Sequence, residues 1–357
     1  MKNLKTKIKI SLFLSAITIF MVLLMDLIIG RFFLKHDETV YRVRHTIFHH
    51  TLKKNFSSKK ALWANGFYEI NTDMNGFKVS KINQERKDKN FDILIIGDSQ
   101  AEGIGFKAEK TYYGLLEKKF PKFKIANMAV GSYSTQIYLS KLNYYYENNF
   151  YFDHVILHFD ISDLFDDYFK YEYDEKNNIT LSKMKSSNYF PVLLNSIIKI
   201  FPLTYKIYHY FKNYDGLSTS NKRNIYNIPA GQYMYKDEDV FFKKDEREIA
   251  IKKTLYFLSK IHNLIKKNNG NLSILITPWP STLKYYDPNN ILENEFKNFC
   301  ISRCKNFLNF FPDFLDLSDK FGYQNISNEY FLGKFDDQHF SEKGHFFMAE
   351  LLYNKIK

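Results

Sequence analysis

The longest apolar stretch, residues 10–30, is broken mainly by Asp26 and a few small hydroxyl residues. A run of about 20 such residues matches the hydrocarbon thickness of a bilayer. Lys2, Lys5, Lys7 and Lys9 precede it, and Arg31 and Lys35 follow. A cleaved signal peptide is the alternative. The run is longer than a usual signal core and shows no small-x-small cleavage site. The expectation is a single-pass signal-anchor with 1–9 as a cytoplasmic tail and the remaining chain extracytoplasmic, although basic residues on both flanks weaken the orientation.

Residues 31–90 read as a connector that packs on the domain C-terminal to it. From Phe91 onward, short apolar runs alternate with segments of helical apolar spacing. Strands are expected at 91–96, 124–129, 154–160, 271–277 and 314–318. Helices are expected at 111–120, 134–149 and 246–268, with a last one capped by Ser341. This alternation predicts a three-layer α/β/α domain at 91–357, with a central parallel sheet of about five strands covered on both faces. Residues from about 166 to 247 break the pattern. They fit a lid or cap over a site, a pair of core helices, or a surface helix lying on the bilayer.

Two polar stretches stand at positions where this architecture places ligands. Ile93-Leu94-Ile95-Ile96 runs into Gly97-Asp98-Ser99-Gln100, which puts a serine on a tight turn at the carboxyl end of a buried strand. Ser and Asp also favour turns for local hydrogen-bonding reasons alone. Near the other end lies Asp336-Asp337-Gln338-His339. An Asp three residues before a His can orient the imidazole and leave its second nitrogen free to take a serine proton. Ser99, His339 and Asp336 thus supply a complete nucleophile, base and orienting acid.

With these blocks the sequence resembles the SGNH (GDSL-like) hydrolase family, in a membrane-anchored branch. Gly97-Asp98-Ser99-Gln100 resembles the first block, with Gln100 in the place of Leu. Asn127 to Gly131 is similar to the second block, Asp160-Ile161-Ser162-Asp163 falls where the third belongs, and Asp336-x-x-His339 resembles the last. The resemblance spans roughly residues 91–357 and implies a flavodoxin-like strand order of 2-1-3-4-5. It implies an oxyanion hole from the amides of Ser99 and Gly131, with Ser162 replacing the usual Asn of the third block. Asp98, Asp160 and Asp163 would brace the loops as a second shell. Asn71 and Gly76-Phe77 resemble an element of the branch that packs near the site, and Pro278-Trp279-Pro280 resembles another, either a sugar-stacking wall or a structural wedge.

Composition narrows the classes. At 45% apolar and 25% charged residues the chain is globular, not disordered. The net charge of +12 comes with no nucleic-acid-binding signature, so nucleic acid is not an expected partner. The apolar run implies a membrane, the resemblance implies a small ester substrate, and an extracytoplasmic location points to an acylated glycan. His45, His49 and His50 lack a carboxylate or Cys at ligand spacing and read as surface residues, so no metal and no cofactor are expected. Cys300 and Cys304, four apart on an expected helix, are awkwardly placed for a bridge, and a strained bridge in an oxidising compartment stays open. The expected function is a serine esterase of the SGNH type, acting on acyl esters such as O-acetyl groups of cell-envelope glycans. The alternatives are an O-acyltransferase at the same site and a catalytically weak glycan-binding envelope protein.

Overall fold

A computed structural model describes residues 2–30, 41–182, 244–284, 286–288, 290–333 and 339–357. The expected insert therefore lies largely outside the described residues, at 183–243, and so does Asp336. Two compact units are present. In the first, one helix covers Lys2–Met25, with a wider turn at Asp26–Gly30. Its 24 residues rise about 36 Å. Thr6–Ile28 has a mean hydropathy of 2.4, long and apolar enough to cross a membrane. A signal sequence meets the same criterion.

The second unit opens with two antiparallel hairpins, β1 (Arg42–His45) with β2 (His49–Leu52) and β3 (Ser57–Trp63) with β4 (Gly66–Asn71). The parallel strands come next: β5 (Asn90–Gly97), β6 (Ile125–Asn127) and β7 (Tyr151–Phe159). A small hairpin, β8 (Tyr171–Tyr173) with β9 (Ile179–Leu181), precedes β10 (Asn271–Ile276) and β11 (Asn306–Asn309). The central sheet is five-stranded, in the order β11-β10-β7-β5-β6, with every pairing in it parallel. Numbered by their appearance in the sheet, its strands run 2-1-3-4-5, with β5 and β7 at the switch point.

Strand periodicity explains the layers. Leu94, Ile96, Val155 and Leu157 face one core, together with Ile137, Tyr138 and Leu142 of the helix Thr135–Glu147 and Leu258 and Ile261 of the helix Lys244–Lys267. Ile93, Ile95 and Ile156 face the other, with Tyr112 and Leu116 of Tyr112–Lys119 and Met348 and Leu352 of Glu342–Ile356. Successive residues of a strand point to opposite faces, so near-continuous apolar runs are what a sheet covered on both sides requires. Residues 41–79 join the first core through Phe48, Leu52, Ile70 and Phe77. Ser341 caps the last helix, accepting from the Gly344 amide at 3.1 Å.

One expectation needs correction, and one open pairing is decided. The fifth strand is Asn306–Asn309, and residues 314–318 belong to the helix Phe311–Phe321. Pro312 sits in the first turn of that helix, where its missing N–H is harmless, and Phe311 and Phe314 bury one side at helical spacing. Cys300 and Cys304 are bridged. The helix Ile291–Cys300 ends at the first cysteine, and the turn beyond it brings the Cα atoms to 4.6 Å, so the bridge spans a helix end and not a helix interior.

Gly97 fixes how closely β5 approaches β7. A Cβ there would lie 2.6 Å from both the Ala101 Cβ and the His158 carbonyl oxygen. Gly97→Ala should destabilise the domain by about 1–3 kcal/mol, read as a lower urea midpoint.

Candidate active site

Ser99 follows β5 directly. Asp98 caps the one-turn helix Ser99–Glu102, accepting from the Gln100 amide at 2.9 Å, and Gly103 ends the turn at φ +64°. Gln100 is buried and accepts from Thr277, at the end of β10, at 3.0 Å. His339 enters from the other end of the chain, just before the final helix. The backbone pairing of Leu332 with His339 at 2.9 Å and the Phe331–Phe340 bridge hold it there. His339 Nε2 lies 2.8 Å from Ser99 Oγ, across 240 residues of sequence. Trp63, at the end of β3, packs edge-on against the His339 ring at 5.2 Å.

Ser99 Oγ also lies 3.1 Å from Asp98 Oδ2. A hydroxyl has one hydrogen. If Ser99 donates to His339, Asp98 must be protonated and donate to Ser99. If Asp98 is ionised, Ser99 donates to it and His339 must be the donor. Burial, reinforced by the nearby Asp160 carboxylate, pushes the Asp98 carboxyl up to about 7. The arrangement in which His339 can accept the serine proton is therefore the one that burial of Asp98 favours.

Asp160 and Asp163 stand behind this pair. Asp160 Oδ1 accepts from the Ser162 amide at 2.8 Å and the Ser162 hydroxyl at 2.6 Å, while Oδ2 accepts from the Trp279 indole at 2.8 Å. Trp279 is buried, so the Pro-Trp-Pro element acts as a brace for the third block. Asp163 accepts from Tyr138 at 2.9 Å, and burial drives its carboxyl well above the usual carboxylate range.

Two of the three expected oxyanion donors, Ser162 and the Gly131 amide, are engaged. Ser162 is turned onto Asp160. The Gly131 amide donates to Glu102 Oε2 at 2.7 Å. Gly131 is gripped elsewhere too, since His50 Nε2 contacts its carbonyl at 2.9 Å. The next residue, Ser132, is exposed at φ +65°. His45, His49 and His50 are half-buried and not surface residues; burial lowers all three rings, those of His45 and His50 to about 4. Among the described residues no group of three or more His, Cys, Asp or Glu could hold a metal ion.

Glu102 is the centre of a second charged cluster that sequence reasoning missed. Its carboxylate is fully buried and accepts from Arg42 Nη2 at 2.8 Å. Lys78, also buried, donates to the carbonyls of Glu102 and Gly103 at 3.1 and 2.8 Å. Burial pushes the Glu102 carboxyl up, but Arg42 and Lys78 together pull it below its ordinary value, so it is ionised. The available signal was an acidic residue three positions after the turn serine, on a short helix with no solvent face. Nothing in the sequence linked it to Arg42.

No protein-family model matches the chain, and no curated protein sequence matches it. Among solved structures, a psychrotrophic esterase from a Pseudoalteromonas species is 15% identical, with 75% of this chain and 97% of that one covered and a TM-score of 0.38. A member of the lipolytic G-D-S-L family from Veillonella parvula is 12% identical, with 74% and 97% covered and a TM-score of 0.40. Likeness at this level carries no argument about chemistry. The fold rests on the strand order and the site on its own distances.

Asp98 gives a pH test. Its folded form keeps a proton that the unfolded chain releases above 3.8. Its contribution to stability is therefore complete at acid pH and lost as pH rises through about 7. Asp98→Asn keeps a cap acceptor and removes the titration. Plotted against pH from about 5 to 8, urea-derived stability should fall less steeply in the variant than in wild type.

Proposed function

We propose that the protein is a serine esterase of the SGNH type. The observation that carries this reading is the 2.8 Å contact between Ser99 Oγ and His339 Nε2 at the carboxyl edge of the parallel sheet. Ser99 attacks the acyl carbon while His339 takes its proton. His339 then returns that proton to the leaving alcohol, and a water deprotonated by His339 cleaves the acyl-enzyme. Asp336, three residues before His339, is the acid that orients the imidazole. The oxyanion is met by the Ser99 amide, which lies in the first turn of a helix and has no partner within that turn. A second donor comes from the Gly131–Ser132 turn, by release of the Gly131 amide from Glu102 or through the Ser132 amide. The Ser162 hydroxyl would have to leave Asp160 to contribute.

The apolar helix at 2–30 supports anchoring to a membrane, and Lys2, Lys5, Lys7 and Lys9 before the apolar run favour a catalytic domain on the extracytoplasmic side. In that setting the substrates are acyl esters of the cell envelope, O-acetylated glycans foremost. Transfer to a second alcohol passes through the same acyl-enzyme, so O-acyltransfer differs only in the acceptor that reaches it. A glycan-binding protein with little turnover is a second reading, favoured by the engagement of Gly131 and Ser162. One missing oxyanion donor costs roughly 100- to 1000-fold in rate.

A fluorophosphonate probe should label the full-length, detergent-solubilised protein. Ser99→Ala should abolish labelling, and His339→Ala should slow it by roughly 1000-fold or more. A folded wild type that does not label would favour the binding reading. A screen of acetylated sugars that finds none turned over in a Ser99-dependent way would remove the glycan substrate.

A further inference from the structure

The cluster around Glu102 lies against the nucleophile. A Cβ built on Gly131 would stand 3.3 Å from the Ser99 Cβ and 3.0 Å from Arg42 Nη2. Ser99 and the Arg42 guanidinium thus border the same small space beside the Gly131 Cα. Arg42 and Lys78 flank the Glu102 carboxylate, and the Glu109 carboxylate lies within electrostatic reach of Lys78. Lys78 is wholly buried and spends its protons on backbone carbonyls. Burial brings it down only to about 8, so it stays largely charged at neutral pH. Lys78 is thus shared between Glu102 and Glu109, and Arg42 is the cation of the cluster that reaches solvent, with about 32% of its side chain exposed.

Arg42 also has donors to spare. A guanidinium carries five N–H groups, and Glu102 accepts from Nη2. Its Nε is buried without a hydrogen-bond partner. A buried donor of this kind costs stability unless something accepts from it. The other polar groups around Gly131 do not compensate the charge. His50 is held neutral by burial, and the Gly131 amide adds a donor to Glu102. A planar cation with unused donors at the edge of a solvent-accessible site is suited to a carboxylate or a phosphate.

We propose that Arg42 forms an anion-binding subsite beside Ser99, so that the ester taken by this protein carries a negative charge close to its scissile bond. This rests on the reading of Ser99 as a nucleophile and narrows it to anionic esters. The charge belongs either to the acyl group or to the alcohol, as in an acetylated acidic sugar. Arg42 comes from β1, before the sheet begins, so the specificity of the site is set by a segment outside the α/β layers.

Two matched ester pairs test this on the full-length, solubilised protein. In the first, 4-nitrophenyl hydrogen adipate is compared with its methyl ester, which places the charge on the acyl side. In the second, 3-acetoxybenzoate is compared with methyl 3-acetoxybenzoate, which places it on the alcohol. Wild type should prefer the charged member of one pair by about tenfold or more in kcat/KM, and that pair identifies the side. The preference should sit in KM and weaken between about 50 and 500 mM NaCl. Arg42→Gln should bring the ratio of charged to neutral kcat/KM close to one, and Arg42→Lys should retain part of it. Because Arg42→Gln leaves Glu102 short of a partner, the wild-type salt dependence decides the matter if that variant does not fold. No preference in either pair, a preference insensitive to salt, or one that survives Arg42→Gln would overturn the proposal. Failure of the nucleophile reading looks different: Ser99→Ala would then hydrolyse the neutral esters as fast as wild type.

Discussion

A buried carboxylate ties this molecule together. Glu102 sits one turn after Ser99 with no exposure to water. An isolated charge in that position would be strongly unfavourable, so it must be paired and hydrogen-bonded. Its partners come from three places far apart in sequence: the Arg42 guanidinium from the first hairpin, the Gly131 amide from the loop after β6, and Lys78, which caps the same turn through backbone carbonyls. Satisfying one charge therefore docks the segment before the sheet onto the turn that carries Ser99.

On the other side of Ser99 the balance is reversed. Asp98, Asp160 and Asp163 are buried within electrostatic reach of one another, and no Arg or Lys pairs with any of them in the hydrogen bonds and ion pairs of the described residues. Burial raises all three, and hydrogen bonds from Trp279, Ser162 and Tyr138 hold them in place. The serine is thus flanked by a cluster of paired, ionised groups and by a group of carboxyls driven toward neutrality. That asymmetry bears on which way the Ser99 hydroxyl points: it donates to Asp98 while that carboxyl is ionised, and is free to donate to His339 once Asp98 holds a proton.

Each half of the site has an identifiable mechanical support. Gly97 allows β5 to lie against β7 closely enough for the Ser99 turn to sit over the strand ends. His339 is fixed by the Phe331–Phe340 bridge behind it and by the Trp63 ring at its edge. The hairpin β3–β4 therefore touches His339 while β1–β2 touches the loop beside Ser99, so the segment before the sheet forms part of the wall of the candidate site.

The α/β alternation, four of the five sheet strands, the major helices and the turn bearing Ser99 were legible in the sequence, because local periodicity and turn chemistry are properties of neighbouring residues. The fifth strand was not. Asn306–Asn309 is too short to stand out, whereas Phe314 to Ser318 is apolar enough to resemble a strand until Pro312 and the helical spacing are weighed together. The motif spacing singled out Ser99 and His339, but only folding could bring them to 2.8 Å. The roles of Arg42, Lys78 and Glu102 were likewise invisible, since a charge pair between residues sixty positions apart leaves no mark on local pattern. What the sequence determined by itself was which residues could do chemistry and which strand would carry them. What only the tertiary structure decided was the company each charge keeps, because burial and distance, not residue identity, set whether a carboxyl is ionised and which donor it occupies.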